Sequence, residues 1–468
     1  RLDTIGPVDV RARRVRTGPG AARAAVDRAA RVVGLRFPPD PSSGAYCTVG
    51  GMAGTNAAGA HTLRFGAMRS WITALDCVFD DGTRALVRRG VGPPAGVPAV
   101  ARFLESAHAR LHQPSDEPLA HAGVRKDSSG YAIAEYARSG ELLDLLVGSE
   151  GTLALFTGLE LALVPAPAAT SSVLAAFDTL EQAVAAASAA RDVGASACEL
   201  LDRTFLDVAR EGGHARGMPA TTEGVLLAEV EGGDTTEASD AAKLLERAFR
   251  AHGATTVQLA FDPRAEHALW ELRHAASPIL AALAPTLASM QFIEDGAVPP
   301  DRLPAYVRGV RAALARQGIR GVIFGHAGDA HVHVNPLVDV ARPGWREGVE
   351  ALLDEVTELA ARLGGTLAGE HGDGRLRTPL LARTWSAEAR ARFALVKRAF
   401  DPAGILNPGV KVPLEGQRAI ADVKYDPALA PLPEASRRVL ARVAAERAYG
   451  RSRLEMLEES GLGTGDSG

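Results

Sequence analysis

Cysteine is scarce in this chain of 468 residues: Cys47, Cys77 and Cys198 stand far apart and form no CxxC pair. That spacing excludes a disulfide framework and a cysteine-held iron–sulfur cluster, and it fits a reducing compartment. A long apolar run is missing too. The most apolar stretch, from Pro278 to Phe292, is too short to span a bilayer and is broken by Pro285, and no charged segment followed by an apolar one opens the chain. The expectation is a soluble cytoplasmic protein, or one peripheral to the inner membrane, with no transmembrane segment. An excess of one charge is also lacking. A net charge of −4, with 23% charged residues and no long block of like charge, offers no basic field and excludes nucleic acid as a partner. What is present, 46% hydrophobic residues over this length, suffices for two or three domains with large cores.

The stretch that organises the rest is Phe324-Gly325-His326-Ala327-Gly328-Asp329-Ala330-His331-Val332-His333-Val334-Asn335, read with Gly369-Glu370-His371-Gly372. Alternation from His331 to Asn335 has the period of a strand, which puts His331, His333 and Asn335 on one face and the valines on the other. A bend at Gly328-Asp329 between strands 321–325 and 331–338 folds His326 back beside His333. Two imidazoles and the Glu370 carboxylate then converge as ligands for a divalent metal: zinc, iron or manganese. Neighbours in an extended segment point opposite ways, so Glu370 faces the metal while His371 faces a substrate.

Taken in order, the chain opens with a strand at 8–15 and an alanine-rich helix at 21–33. Prolines then stiffen the approach to Cys47-Thr48-Val49-Gly50-Gly51-Met52-Ala53-Gly54-Thr55-Asn56-Ala57-Ala58-Gly59, a glycine-rich loop whose amides can approach a ligand closely. A strand at 71–79 turns at Asp80-Asp81-Gly82-Thr83. Lys126-Asp127-Ser128-Ser129-Gly130-Tyr131 is a polar turn, and Gly148-Ser149-Glu150-Gly151-Thr152 a second glycine-rich loop ahead of a strand at 159–164. From about Ser171 the order becomes β-α-β-β-α-β: strands at 173–177, 197–201, 225–230 and 255–259, with helices between the first pair and the last, which predicts a ferredoxin-like sheet. Arg273 lies on a following helix, one turn before Ser277. A helix at 345–363 ends at Gly364-Gly365 and delivers Glu370-His371. Arg375 and Arg377 share one side of an extended segment, where they bind a second carboxylate or a phosphate, or are simply solvated. Pro427, Pro431 and Pro433 mark a linker, Glu434–Glu446 a helix, and 464–468 a polar disordered end.

Six motifs occur in one order: Pro39-Asp40-Pro41-Ser42-Ser43; Thr48-Val49-Gly50-Gly51-Met52 with Asn56 and Gly59; Gly148–Leu153; the 326–335 block; Gly369-Glu370-His371-Gly372; and Asp401–Gly409. The series, covering about 5–413, resembles the FAD-linked oxidases of the vanillyl-alcohol oxidase (PCMH-type) fold, and within them the D-lactate, glycolate and D-2-hydroxyglutarate dehydrogenases. It is most similar to the branch fused to an iron–sulfur module, through Phe292-Ile293-Glu294-Asp295 and Gly372–Arg377. The resemblance implies an α+β protein: an FAD-binding domain over 1–165, a ferredoxin-like substrate or cap domain over 166–413, and a linker, helix and tail over 414–468. The family's first glycine-rich loop would precede Arg1, so the FAD domain is expected to be incomplete at its N-terminus. FAD would be held around Pro41, Ser42, Ser43, Thr48, Val49, Gly50, Gly51, Asn56 and Gly59, with Glu150, Gly151 and Leu155 closing over it and Asn407 as a flavin-facing amide.

By the same resemblance Arg273 grips the carboxylate of a 2-hydroxy acid, and Ile293 replaces a lysine that assists it. His331 stands where relatives usually have asparagine, as an added ligand or as a donor behind the ligands. The implied chemistry is oxidation of a D-2-hydroxy acid, with His326, His333 and Glu370 holding the metal, His371 as general base and Asn335 orienting the substrate oxygen. The cysteines of the fused module are absent, so electrons are expected to leave through a separate iron–sulfur protein, an electron-transfer flavoprotein or a quinone. Two readings compete: a metal-dependent hydrolase or lyase without flavin, and a flavin-poor, non-catalytic subunit of such a dehydrogenase.

Overall fold

Four antiparallel strands, β1 (Arg14–Thr17), β2 (Ile72–Val78), β3 (Arg84–Arg88) and β4 (Leu155–Ala162), build the sheet of a first lobe in the order β1-β4-β2-β3. The β2–β3 hairpin is the one expected from the turn at 80–83. The strand expected at 8–15 begins only at Arg14. Asp9 takes the Ala12 amide at 2.8 Å and Arg13 has a φ of 51°, so residues 10–13 make a turn between the bridged pair Asp9 and Arg14. The glycine-rich stretch expected as a loop contains a helix, α1 (Val49–Thr55). Thr48 caps it by accepting the Gly51 amide, Asn56 closes it in the left-handed conformation, and Val49, Met52 and Ala53 face the core. This computed structural model describes residues 2–211, 213, 218–274, 287–421, 423, 426–446, 448, 451, 455, 456 and 459. Ser277, most of the apolar run that starts at Pro278, and the 464–468 end lie outside them.

The second lobe contains β5 (Ala169–Phe177), α2 (Leu180–Val193), β6 (Ala197–Asp202), β7 (Gly224–Gly232), α3 (Thr235–Ala251) and β8 (Thr256–Ala260). Their strands run β8-β5-β7-β6, so the ferredoxin-like unit forms as expected. After α4 (Pro263–His274) and β9 (Leu287–Ser289), the chain adds β10 (Arg320–His326) and β11 (His331–Asp339), which extend the same antiparallel sheet to β6-β10-β11-β9. Helix α5 (Trp345–Arg362) follows, with Val349, Leu352, Leu353, Val356 and Ala360 buried as one stripe.

The domain boundary expected at 165/166 is only half of the arrangement. After building the second lobe, the chain returns: Leu381, Trp385 and the inner face of α6 (Ala387–Phe400) belong to the core of the first lobe. Residues 1–421 form one compact unit, and residues 422–468 a second. In that second unit Val439 and Val443 of the helix Glu434–Glu446 pack with Met456.

Polar contacts join the lobes. His61 sets one ring nitrogen against Asp40 of the first lobe and the other 2.8 Å from Glu229 on β7, while Arg36 meets Glu231 at 2.6 Å.

Candidate active site

The β10–β11 hairpin sets Phe324 opposite His333 and His326 opposite His331, with a 3-10 turn at Ala327–Asp329 and a left-handed Ala330 closing it. His326 is the backbone partner of His331, and its ring reaches His333 diagonally across the hairpin. The side-chain tips meet as expected. His326 Nε2 and His333 Nε2 are 3.4 Å apart, and Glu370 Oε1 lies 3.4 Å from the first and 3.3 Å from the second. A tetrahedral ion with bonds of about 2.0–2.1 Å has ligand–ligand edges of roughly 3.3–3.4 Å, so these three atoms make one face of such a polyhedron. The donor set suits zinc, iron or manganese alike.

What holds each ligand comes from distant segments. Glu199 on β6 binds His326 Nδ1, and the Glu294 carbonyl accepts from His333 Nδ1 at 3.0 Å; each bond fixes which ring nitrogen faces inward. Lys126, fully buried, reaches Glu370 Oε2 at 3.1 Å and the Gly59 carbonyl at 3.0 Å. Burial opposes ionisation of Glu370, but Lys126 and His326 outweigh it and hold the carboxyl well below its usual range. Burial likewise works against protonation of His326, yet Glu199 raises it to about 9.

His371 does not point away from Glu370 as expected. The left-handed Gly372 turns the segment, and the imidazole lies stacked on His333, ring centroids 5.3 Å apart, with Nε2 3.8 Å from Glu370 Oε1. Its side chain is 44% exposed, whereas Glu370 is buried. Buried Asp295 shapes this turn, accepting the His371 amide at 2.8 Å and the Glu370 amide at 3.2 Å. Burial would lower the His371 imidazole, but Asp295, Glu294 and Glu370 raise it to about 9.

Arg273 donates from Nε to Glu199 Oε2 at 2.9 Å and lies over the Phe324 ring at 4.4 Å. One carboxylate therefore grips both His326 and Arg273. Asn335 is on the same face of β11 as His331 and His333, partly exposed. Arg375 and Arg377 are not on an extended segment: they sit in a short helix, Gly374–Arg377, where Arg375 is exposed and Arg377 is buried against Glu294 and the Gly372 carbonyl.

A cavity of about 360 Å³ opens beside α1, lined by Gly50, Gly51, Glu150, Gly151, Leu155 and Asn407 among others. A Cβ on Gly151 would meet no atom within 4 Å and would stand free, so the backbone there is open to a ligand. Glu150 ties this cavity to the ligand-bearing turn, since its carboxylate accepts the Asp373 amide at 2.7 Å and the Gly374 amide at 2.9 Å. Asn407 donates to the Glu150 carbonyl at 2.7 Å. The other residues expected around a cofactor do not line this space. Pro41, Ser42 and Ser43 form a turn, Thr48 caps α1, Val49 is in the core, Asn56 Oδ1 accepts the Arg69 amide and the Gly59 carbonyl accepts from Lys126.

Sequence reasoning missed Glu199, Lys126 and Asp295. A lone acid in the apolar strand Ala197-Cys198-Glu199-Leu200-Leu201 was a usable signal; a lysine in a polar turn was not.

Residues 166–410 match the family model described as FAD linked oxidases, C-terminal domain, and residues 1–87 match the one described as FAD binding domain. A Bacillus subtilis protein named glycolate oxidase subunit GlcD is 31% identical over 84% of this chain and 73% of its own length. A D-lactate dehydrogenase of Archaeoglobus fulgidus is 30% identical over 84% of this chain and 75% of its own. Among solved structures, 4-ethylphenol oxidase from Gulosibacter chungangensis superposes with a TM-score of 0.62 at 14% identity, covering 88% of this chain and 79% of that one, which shows a shared fold.

Proposed function

This chain belongs to the FAD-linked oxidases, and from that premise we propose that it oxidises glycolate, D-lactate, D-2-hydroxyglutarate or a similar 2-hydroxy acid to the 2-oxo acid. Electrons then leave for a separate iron–sulfur protein, an electron-transfer flavoprotein or a quinone. The observation that carries the reading is the half-exposed His371 stacked against the edge of the His326–His333–Glu370 cluster.

Arg273 offers the planar fork that suits a substrate carboxylate, and Glu199 and Phe324 hold its orientation. Asn335 orients a substrate oxygen from the same face of β11. His371 takes the hydroxyl proton as general base. Asp295, Glu294 and Glu370 raise its imidazole above the ordinary value, which makes it the stronger base. His326, His333 and Glu370 would hold a divalent cation, which supplies a Lewis acid toward the substrate oxygens. Gly50, Gly51, Glu150, Gly151, Leu155 and Asn407, which line the cavity, would hold FAD, and the flavin would supply the two-electron acceptor.

The test is anaerobic bleaching of the flavin spectrum by each acid, with dye-linked turnover. His371→Ala is expected to lower kcat by about 10²–10⁴-fold. A flavin-loaded chain that no 2-hydroxy acid bleaches would overturn the proposal, and full turnover in His371→Ala would remove the base.

A further inference from the structure

His331 lies beside the ligands without being needed by the mechanism above. It is fully buried, and its ring centroid is 4.7 Å from that of His333 and 5.4 Å from that of His326. Its Nε2 is 2.8 Å from Asp295 Oδ1. A carboxylate only accepts, so Nε2 carries the hydrogen and Nδ1 presents a bare lone pair. That Nδ1 has no hydrogen-bond partner among the described residues. A desolvated acceptor with nothing donating to it is costly, so its position calls for a partner.

The arrangement repeats that of the other two histidines. His326 has one ring nitrogen held by Glu199, His333 has one held by the Glu294 carbonyl, and His331 has one held by Asp295. In metal centres, an acceptor on one ring nitrogen leaves the other oriented and basic toward the ion. One atom from each of His326, His331, His333 and Glu370 lies within 4.8 Å of the other three. Gly369 makes room for this packing, since a Cβ there would stand 2.7 Å from the His331 ring.

We propose that His331 is a fourth protein ligand, so that the cation is held by three imidazoles and one carboxylate. This rests on the metal reading given under the proposed function, and it chooses between the two roles, added ligand and donor behind the ligands, that the sequence left open for His331.

The experiment uses the full chain stripped of metal and reloaded with zinc. X-ray absorption at the zinc edge counts the imidazoles, and competition against a chromophoric chelator gives zinc affinity for the wild type, His331→Asn and His333→Ala. Three imidazoles in the wild type, with affinity in His331→Asn reduced beyond the roughly 10–100-fold that losing a residue behind a ligand costs, is the expected result. Two imidazoles in the wild type, or a smaller loss in His331→Asn than that bound, overturns the proposal while leaving the two-histidine set intact. The wild-type count decides even if His331→Asn does not fold. A wild-type chain that binds zinc no better than His333→Ala refutes the metal reading itself, and flavin bleaching by a 2-hydroxy acid then tells whether oxidation survives without it.

Discussion

Glu199 spends one carboxylate oxygen on His326 and the other on Arg273, so a ligand and the proposed carboxylate anchor share a single hinge pin. Burial opposes its charge, but His326 and Arg273 hold the carboxyl far below its usual range. Glu199→Gln keeps the shape and puts an amide donor against one of two donors. Zinc affinity is expected to fall by about 10–100-fold and KM for the 2-hydroxy acid to rise, read by chelator competition and dye-linked kinetics. A variant with unchanged values for both would show that the two contacts do not need each other. The convergence of His326, His333, Glu370 and His371 was legible in the sequence, because strand period and a nearby bend decide which side chains meet. Glu199 left one trace, an acid alone in an apolar strand, but Lys126 and Asp295 were not legible, since a polar side chain in a turn or loop that supports another segment leaves no local pattern.

At the scale of elements, the hairpin of β10 and β11 and the stripe of α5 follow from period alone. The glycine-rich stretch shows the opposite case. Thr48 and Asn56 were cap signals for α1, but three glycines in seven residues masked them, because packing of Val49, Met52 and Ala53 outweighs poor helix propensity. The turn at Gly372 depends on the absence of a side chain. Its φ is 79°, and a Cβ would lie 2.5 Å from Glu150 Oε1. Gly372→Ala is expected to push Glu150 off the Asp373 and Gly374 amides and destabilise the chain by about 1–3 kcal/mol, measurable as a shift in denaturant midpoint. A shift near zero would mean that the turn and Glu150 relax independently.

For the whole molecule, the seam between the lobes carries its own pH dependence. Both His61 nitrogens face carboxylates, Asp40 and Glu229; burial opposes protonation, but these two raise the imidazole well above its ordinary value. The folded state thus binds this proton more tightly than the unfolded one. Its contribution to stability is full below about pH 6.5, the unfolded value, and is lost as pH rises through the raised folded value. The melting temperature is expected to decline over that interval in the wild type, and His61→Asn to remove that part of the decline. Identical slopes would assign the decline to other groups.

The ferredoxin-like order was readable because its strands and helices are consecutive. The homecoming of α6 was not, since nothing local tells a helix which of two cores it will join. Phe400 sits 5.1 Å from Phe103 and 6.3 Å from Phe79, ring to ring. Each such buried aromatic contributes about 1.5–3 kcal/mol, against a total stability of about 5–15 kcal/mol for an ordinary domain. A fragment ending at 165 is therefore expected to be insoluble or molten, and to regain a cooperative melt when 378–413 is joined to it through a short linker. A recombination event that cut the gene between the lobes would orphan both products, which makes the second lobe less a module appended to the first than a long excursion from within it.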